Sequence, residues 1–161
     1  MAKGRQGTPA TVLLTAQRVV HTLHPYDVDA GSPQYGALVA AALGVPPEAV
    51  FKTLVTEVDG ALTVAVVPVT GELDLKALAA VAGGKRAAMA DRAVAERSTG
   101  YVRGGISPLG QRRRLPTVVD ASSLTLGLMY VSAGRRGLQV SLAPADLIRL
   151  TAASTGRIST S

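Results

Sequence analysis

The chain has 161 residues, a length typical of one domain. Hydrophobic residues make up 47% of it and aromatic residues only 3%, so we expect a core of Val, Leu and Ala. The absence of cysteine excludes disulfides, thiolate metal sites and a cysteine nucleophile. The two histidines, His21 and His24, have no carboxylate cluster near them, so we expect neither a metal site nor another cofactor.

Positive charge is concentrated in the second half of the chain. The net charge is +6, and the stretch from Lys85 to Arg136 contains ten basic residues against three acidic ones. This distribution favours a polyanionic partner such as a nucleic acid, although a solvated basic face kept for solubility fits it equally. Residues 1–7 do not look like a secretory signal, and no apolar run approaches the roughly 18 residues that a membrane span needs. We therefore expect a soluble cytoplasmic protein without a membrane partner.

The first half of the chain is predicted to contain two helices and a hairpin. Thr8 and Pro9 are typical of a helix start, and Gly44 is typical of a helix end. The pair Asp59-Gly60 between two apolar runs predicts a type I′ turn, because both residues tolerate positive φ. The predicted elements are a helix over 8–18, a strand over 19–26, a helix over 34–43, and strands over 51–58 and 61–67.

The second half is predicted to continue with helices and then strands. Asp74 and Asp91 each precede a short helix as its cap, and the glycine-rich segment 99–111 is not expected to be regular. The predicted elements are helices over 75–81 and 91–97, strands over 117–120, 126–132 and 138–142, and a helix over 144–150. This order predicts one α/β domain with a mixed, mostly antiparallel sheet and packed helices. Residues 1–7 are predicted to be a flexible basic arm and residues 151–161 a frayed polar tail.

Lys52 is the first candidate for a functional side chain. It borders the apolar strand that leads into the Asp59-Gly60 turn. A lysine there often serves as an edge-strand charge that blocks aggregation. Its functional interpretation is a cation aimed into a pocket, where it would hold a carbonyl or a phosphate.

The glycine-rich segment from Ser98 to Gly110 is the second candidate. Its glycines and its Ser107-Pro108 step allow backbone amides to converge on a phosphate oxygen or an oxyanion. An ordinary long surface loop is the alternative, although long loops without secondary structure are often functional. No Gly-Lys-Ser/Thr follows at the spacing of a phosphate-binding loop, so binding of a nucleotide triphosphate is not expected.

Two further motifs are basic. The run of three arginines before Leu115-Pro116 suits phosphate contacts, and a solvated turn explains it equally well. The segment 131–137 is predicted to be a tight turn that presents Ser132 beside two arginines, and a plain hairpin turn is its alternative. No Ser-His-Asp arrangement stands out, so a hydrolase built on this chain need not supply its own nucleophile. The arginines of these motifs are Arg112, Arg113, Arg114, Arg135 and Arg136.

These segments resemble the bacterial YbaK-type Cys-tRNA(Pro) deacylases, which are free-standing relatives of the editing insertion domain of prolyl-tRNA synthetase. The resemblance is collinear from Thr8 to about Leu150, so it implies an editing domain over residues 8–150 with a barrel-like sheet. The matching segments are Thr8-Pro9-Ala10, Phe51-Lys52-Thr53-Leu54, Leu73-Asp74-Leu75-Lys76, Met89-Ala90-Asp91, Arg97-Ser98-Thr99-Gly100-Tyr101, Gly104 to Gln111, Arg114-Leu115-Pro116-Thr117 and Tyr130-Val131-Ser132.

The resemblance also implies roles for individual residues. Tyr35 stands where phenylalanine is common, Gln139 where aspartate is familiar, and Ala133 where glycine is usual. These departures concern the pocket and the last hairpin, and therefore the substrate preference. The implied catalytic residues are Lys52, Gly104 and Gly105; the implied substrate-binding residues are Tyr26, Tyr35, Thr53, Ser132 and Gln139; and the basic residues expected to bind tRNA are Arg103, Arg112, Arg113, Arg114, Arg135 and Arg136.

The resemblance implies a mechanism that needs no protein nucleophile. The thiol of the misattached cysteine attacks its own ester carbonyl and leaves as a cyclic thiolactone. The implied partners are the acceptor end of tRNA(Pro) carrying cysteine and, as a docking partner, prolyl-tRNA synthetase. Two alternatives stay open at this point. One is a deacylase for another small amino acid such as alanine, with water as nucleophile, and the other is a non-catalytic tRNA-binding or regulatory module.

Overall fold

A computed structural model describes residues 7–28 and 34–160 of the chain. Its helices are α1 (Pro9–Ala16), α2 (Tyr35–Leu43), α3 (Leu75–Val81), α4 (Arg92–Thr99) and α5 (Pro144–Thr151). Its strands are β1 (His21–Pro25), β2 (Phe51–Val58), β3 (Ala61–Pro68), β4 (Glu72–Leu73), β5 (Ala87–Met89), β6 (Thr117–Asp120), β7 (Met129–Arg135), β8 (Leu138–Leu142), β9 (Ser154–Gly156) and β10 (Ser159–Thr160). Short 3-10 turns occupy Pro47–Ala49 and Ala121–Thr125. Of the arm predicted over 1–7, residues 1–6 lie outside the described residues.

The predicted helix starts are confirmed at the level of individual hydrogen bonds. The Thr8 hydroxyl accepts the Thr11 amide at 3.1 Å, and Pro9 occupies the first helical position of α1. The carboxylates of Asp74 and Asp91 accept amides in the first turns of α3 and α4. These short polar side chains satisfy helix amides that have no partner within the helix, which is why they mark where each helix begins.

The strands form a mixed, mostly antiparallel arrangement, as predicted. The larger sheet has the order β5-β2-β3-β6-β9, in which β3–β6 and β6–β9 are parallel. A second sheet has the antiparallel order β1-β8-β7, and β4 pairs with β10. The β2–β3 turn has positive φ at both Asp59 and Gly60, which confirms the predicted turn type. The single α/β domain predicted from the sequence is thereby confirmed.

The principal core lies between the two larger sheets. It combines Val64 and Val66 of β3 with Val131 of β7, Val140 of β8 and Leu14 of α1. Every one of these side chains is fully buried. The core is aliphatic because the chain has few aromatic residues to bury, and aliphatic side chains of similar volume pack well between two pleated faces.

Strand β2 is paired unequally on its two sides. All of β2 pairs with β3, whereas β5 pairs only with Thr56, Glu57 and Val58. Beyond that point the amide of Ala90 still donates to the Val55 carbonyl at 3.0 Å. Among the residues that the structure describes, none pairs as a strand with 51–54 on that side, so this part of the sheet edge is open. Next to it, Val50 forms an isolated bridge to Tyr130 that joins the larger sheet to β7.

The prediction that residues 151–161 form a frayed tail is wrong for residues 154–160. These residues form β9 in the larger sheet and β10 against β4, and Ile158 between them is fully buried. The Asp120 carboxylate accepts the backbone amides of Ile158 at 2.9 Å and Ser159 at 3.0 Å. Local sequence could not show this, because the partner of the segment lies 38 residues away.

The remaining differences are local. Helix α1 ends at Ala16 rather than Arg18, and β7 begins at Met129 rather than Leu126, because the 3-10 turn at Ala121–Thr125 precedes it. Strand β7 runs through a bulge between Ser132 and Arg135, so the hairpin turn is tighter than predicted. The short strands β4 and β5 were not predicted. None of the helices formed by the described residues combines the length and apolarity that crossing a bilayer requires.

Ile158 provides a test of the C-terminal segment. Replacing Ile158 by Ala should lower the free energy of unfolding by about 2–5 kcal/mol, because a fully buried side chain leaves a cavity. Urea unfolding measures this change. Val20→Ala is the matched control, because Val20 is 87% exposed and its loss should change stability by about 0.5 kcal/mol or less. Equal effects of the two substitutions would contradict the packed position of the segment.

Candidate active site

A cavity of about 920 Å³ opens beside the unpaired part of β2. Its walls come from α2, β2, α4, the glycine-rich loop and the β7–β8 hairpin. This size lies within the range of small-molecule binding pockets. The fold therefore brings together segments that are spread over most of the chain. The residues predicted for the site that line the cavity are Tyr35, Lys52, Thr53, Arg103, Gly104, Ser132 and Gln139.

Lys52 has both features that its sequence position suggested. It lies on the part of β2 that lacks a partner on one side, as an edge-strand charge would, and it also lines the cavity. Its Nζ lies 3.1 Å from Oε2 of Glu72, with the lysine side chain 33% exposed and the glutamate 80% exposed. Glu72 belongs to β4, which β10 holds in place. Nothing in the sequence pointed to Glu72, because its contact depends on the strand pairing of the C-terminal segment.

Thr53 and Gln139 line the cavity, and each has a buried side-chain oxygen that is unsatisfied. Thr53 Oγ1 and Gln139 Oε1 are buried, and neither has a hydrogen-bond partner among the described residues. A buried polar atom without a partner costs about 1–3 kcal/mol. Both residues line the cavity, so a rotation of either side chain would bring its oxygen to a bound ligand that donates a hydrogen bond. Lys52 and Thr53 are consecutive in a strand and point to opposite faces, so the cavity wraps around the open edge of β2.

Tyr26 acts on the cavity through Tyr35. The two hydroxyl oxygens lie 2.5 Å apart, and the ring centroids are separated by 6.3 Å. Tyr35 lines the cavity, whereas Tyr26, predicted to bind substrate, is not among the lining residues and contacts Tyr35 instead. Burial, followed by the hydrogen bond to Tyr26, raises the pKa of Tyr35 above its usual value, so its hydroxyl stays protonated at neutral pH. The hydroxyl that distinguishes Tyr35 from phenylalanine is therefore used in this pair.

The glycine-rich loop makes a tight turn at the cavity. The Gly105 amide donates to the Val102 carbonyl at 2.9 Å, and Gly104 has φ +89°. Arg103 is not among the residues with positive φ, so residues 102–105 form a type II turn with glycine at its third position. The Gly105 amide is consequently engaged within the turn. The Gly104 amide has no hydrogen bond among the described residues, and Gly104 lines the cavity.

Glycine is required at position 105 by close packing against backbone and at position 104 by its positive φ. A Cβ atom on Gly105 would lie 2.7 Å from Cα of Arg135, and one on Gly104 would lie 2.4 Å from Nε of Arg136. The loop therefore packs directly against the backbone of the β7–β8 hairpin turn. Only glycine permits this approach, and only glycine adopts the positive φ at position 104 without strain. Two motifs that looked independent in the sequence form one wall.

The predicted tRNA-binding arginines fall into separate groups. Arg103 lines the cavity, and Arg135 and Arg136 lie against the glycine loop beside it. The charge of Arg136 also acts on Tyr35, where it opposes the rise in pKa. Arg113 and Arg114 instead line a second cleft of about 230 Å³, whose apolar residues include Leu13, Leu115 and Leu150. Arg112 donates its amide to the carbonyl of Thr99 at the end of α4.

Glu96 is a second carboxylate at the cavity that sequence reasoning missed. Its Oε2 accepts the backbone amide of Arg103 at 2.8 Å and Nε of Arg92 at 3.3 Å. The hydrogen bond from the Arg103 amide, and then that from Arg92, lowers the pKa of Glu96. The carboxylate therefore stays ionised at neutral pH. The i,i+4 spacing of Arg92 and Glu96 was visible in the sequence, but the amide seven residues ahead was not.

The histidines lie outside the cavity wall. Nε2 of His24 lies 2.8 Å from Oγ of Ser141, its ring packs on Tyr130, and burial lowers its pKa. Nδ1 of His21 lies 2.7 Å from the carbonyl of Val19. Within residues 7–28 and 34–160, no three His, Asp or Glu side chains come close enough to hold a metal ion.

Comparison with known proteins identifies the family. The family model of the aminoacyl-tRNA editing domain matches residues 36–150. A protein of Enterococcus faecalis, named "Putative Cys-tRNA(Pro)/Cys-tRNA(Cys) deacylase EbsC", is 42% identical over 125 residues, which cover 76% of this chain and 75% of that protein. The family match at residues 36–150 contains every predicted site residue except Tyr26 and Tyr35. Tyr35 lies one residue before this match.

Two solved structures share the fold. Hypothetical protein APE2540 superposes with a TM-score of 0.84 at 24% identity, covering 95% of this chain and 100% of that one. A structure titled as a putative trans-editing enzyme for prolyl tRNA synthetase superposes with a TM-score of 0.79 at 20% identity, covering 96% of this chain and 99% of that one. At these identities the likeness concerns the fold. Together with the family match and the close relative, it shows that this chain belongs to the aminoacyl-tRNA editing domain family.

Proposed function

We propose that this protein is a trans-editing deacylase that cleaves the ester between cysteine and the 3′ end of mischarged tRNA(Pro) in the cytoplasm. The observation that carries the proposal is one cavity that is lined by Lys52, Gly104, Thr53 and Gln139 together. The substrate class is supported by the name of the relative that is 42% identical. The alternatives of water-dependent editing and of tRNA binding without cleavage are outcomes of the experiments below.

The proposed reaction uses the substrate's own thiol. The thiolate sulfur attacks the ester carbonyl carbon, the bond from that carbon to the ribose oxygen breaks, and the ribose oxygen takes up a proton. The products are a four-membered thiolactone and free tRNA. A free thiol has a pKa of about 8.5, so a few per cent is ionised at neutral pH. Alignment of the thiolate with the carbonyl in the cavity supplies the remaining rate enhancement, since well-oriented intramolecular reactions reach effective molarities of about 10⁵ M.

The turn at 102–105 supplies the group that stabilises the developing negative charge. Of its two glycine amides, that of Gly105 is bonded to Val102, so we assign the oxyanion to the Gly104 amide. Lys52 adds a positive charge on the same cavity. Its ion pair with Glu72 is exposed and worth about 1 kcal/mol or less, so a substrate carbonyl or phosphate can replace the carboxylate.

The two unsatisfied oxygens fit the free end of an aminoacyl group. An α-ammonium group donates hydrogen bonds, and Gln139 Oε1 and Thr53 Oγ1 both lack a donor. A glutamine in place of the aspartate familiar in the family keeps an acceptor oxygen and removes its charge. We assign the α-ammonium to the part of the cavity lined by Thr53 and Gln139, where a rotation of either side chain presents its oxygen to the ligand.

The basic residues divide into two roles on this proposal. Arg103 lines the cavity and Arg135 and Arg136 lie against the glycine turn beside it, so we assign these three to the terminal nucleotide that carries the amino acid. Arg113 and Arg114 line a separate cleft, so they contact a phosphate elsewhere on the acceptor end. Docking on prolyl-tRNA synthetase would supply the specificity for tRNA(Pro) that a few phosphate contacts cannot.

Lys52→Ala tests the proposed site. The substitution should lower kcat/KM for deacylation of Cys-tRNA(Pro) by about 10²-fold, because it removes a charge that stabilises the transition state. Release of cysteine from the purified mischarged tRNA is the measurement. Lys76→Ala is the matched control, since Lys76 is an exposed lysine on α3 and does not line the cavity. Unchanged activity in Lys52→Ala would remove Lys52 from the mechanism.

The nucleophile is tested by changing the substrate. tRNA(Pro) charged with serine should be cleaved at least about 10²-fold more slowly than the cysteine form, because a hydroxyl is hardly ionised at neutral pH. The rate with cysteine should rise with pH towards the pKa of the thiol at about 8.5. A panel that includes alanine and proline completes the experiment. Fast cleavage of Ala-tRNA would favour a water nucleophile, and salt-dependent binding without any cleavage would favour a regulatory module.

The second cleft is tested by its salt dependence. Arg113→Ala and Arg114→Ala should each raise KM and reduce the slope of log affinity against log salt by about 1, with kcat unchanged. Arg149→Ala is the control, because Arg149 is an exposed arginine of α5 that pairs with Asp146. An unchanged salt slope in both cleft variants would show that this cleft does not contact tRNA.

A further inference from the structure

The turn that presents the Gly104 amide is held from two sides. The β7–β8 hairpin turn packs against both glycines, as the close approach of Arg135 and Arg136 shows. On the other side, Glu96 accepts the amide of Arg103 at 2.8 Å. Arg103 and Gly104 are the two central residues of the turn, so the peptide group that ends in the Gly104 amide lies directly after the one that Glu96 holds.

Glu96 is well placed to act as a fixed anchor. It lies on α4, whose start is fixed by the Asp91 cap and whose end is fixed by Gly100 in the left-handed conformation. Arg92, one turn earlier, donates to the same carboxylate oxygen that accepts the Arg103 amide. Tyr101, which follows Gly100 at the start of the loop, is buried and donates its hydroxyl to the Leu109 carbonyl at 2.6 Å. Tyr101 therefore holds the start of the loop, and Glu96 holds the turn at residues 102–105.

We infer that Glu96 is a positioning residue of the active site, which holds the 102–105 turn so that the Gly104 amide points into the cavity. This inference rests on the proposed function for its kinetic consequences. Glu96 does not act on the substrate in this assignment; it acts through the backbone of Arg103. A turn with glycine at its third position can flip its central peptide at little cost, because glycine tolerates both signs of φ. Anchoring the adjacent amide to a helix restrains that flip.

The role belongs to the acceptor oxygen, and the ion pair with Arg92 is secondary. The Arg92 contact is long at 3.3 Å, and the Arg92 side chain is 62% exposed. Exposed i,i+4 pairs contribute little to stability. The hydrogen bond from the Arg103 amide is shorter and joins two segments seven residues apart, so its loss frees the loop from the helix. The segment from Arg97 to Tyr101, which the sequence singled out, directly follows Glu96. The site therefore includes the helix turn of α4 that precedes this segment.

Three variants separate these contributions. Glu96→Met keeps the side-chain length and the helix propensity but offers no acceptor. It should lower kcat for Cys-tRNA(Pro) about tenfold with KM changed less than about twofold, a smaller loss than the about 10²-fold expected when an oxyanion donor is removed outright. Glu96→Gln keeps an acceptor oxygen and should restore kcat to within about threefold of the wild type. Arg92→Gln removes the ion pair; because Arg92 itself lines the cavity, this variant is compared with Glu96→Gln by the exchange rate of the Arg103 amide and not by kcat.

Amide hydrogen exchange supplies a readout that needs no substrate. Exchange at Arg103 and Gly105 should accelerate in Glu96→Met and stay near the wild-type rate in Glu96→Gln, while exchange in β2 and β3 stays unchanged in both. Asp146→Ala, which removes an exposed carboxylate from a similar ion pair on α5, should leave the loop exchange unaltered. A merely structural role for Glu96 would lower thermal stability without this local pattern.

Either of two results would overturn the inference. One is a Glu96→Met variant with wild-type kcat and unchanged exchange at Arg103. The other is a Glu96→Gln variant as impaired in kcat as Glu96→Met, or an Arg92→Gln variant in which the Arg103 amide exchanges as fast as in Glu96→Met, since either would place the effect in the charge. If the wild-type protein cleaved no aminoacyl-tRNA, the proposed function would fail, and the exchange experiment would still decide whether Glu96 holds the turn.

Discussion

The unequal pairing of β2 is the constraint on which the site depends. One side of the strand is fully occupied by β3, and the other is covered by β5 only at its far end. A strand edge left open exposes backbone and side chains of both faces at one place. Here that opening does not face bulk solvent alone, because α2, α4, the glycine loop and the last hairpin surround it and convert it into a cavity. Lys52 and Thr53 lie at this opening and point to opposite faces of the strand. Lys52 therefore forms an exposed ion pair, whereas the Thr53 hydroxyl is buried without a partner among the described residues.

Two carboxylates offset part of the positive charge around the cavity. The second half of the chain carries most of the basic residues, yet two carboxylates lie at the cavity itself. Glu72 pairs with the Lys52 side chain, and Glu96 binds a backbone amide of the loop. The first contact is an exposed ion pair between side chains, whereas the second connects a loop to a helix. Two residues of the same chemical type thus have different consequences because of what they contact and how exposed they are.

The C-terminal segment links the edge of the domain to the site. Ile158 is buried in a cluster with Val67, Leu78 and Val118. The Asp120 carboxylate accepts the backbone amides of Ile158 and Ser159. Strand β10 then pairs with β4, which carries Glu72. The partner of the Lys52 side chain is therefore positioned by the last residues of the described chain. A segment of polar composition gains its structure from one buried isoleucine and one buried carboxylate.

The sequence by itself determined the elements whose signals are local. The Thr8, Asp74 and Asp91 caps and the Asp59-Gly60 turn are confirmed, because the side chain and the backbone that it organises lie within a few residues of each other. The collinear motifs also identified the family, and they named seven residues that do meet in one cavity. Tertiary structure alone decided the rest: which part of β2 stays open, that the glycine turn packs against the last hairpin, that Arg103 and the pair Arg113 and Arg114 line different cavities, and that Glu72 and Glu96 lie at the first of them. Each of these depends on contacts between segments far apart in the chain, and periodicity and spacing carry no information about such contacts.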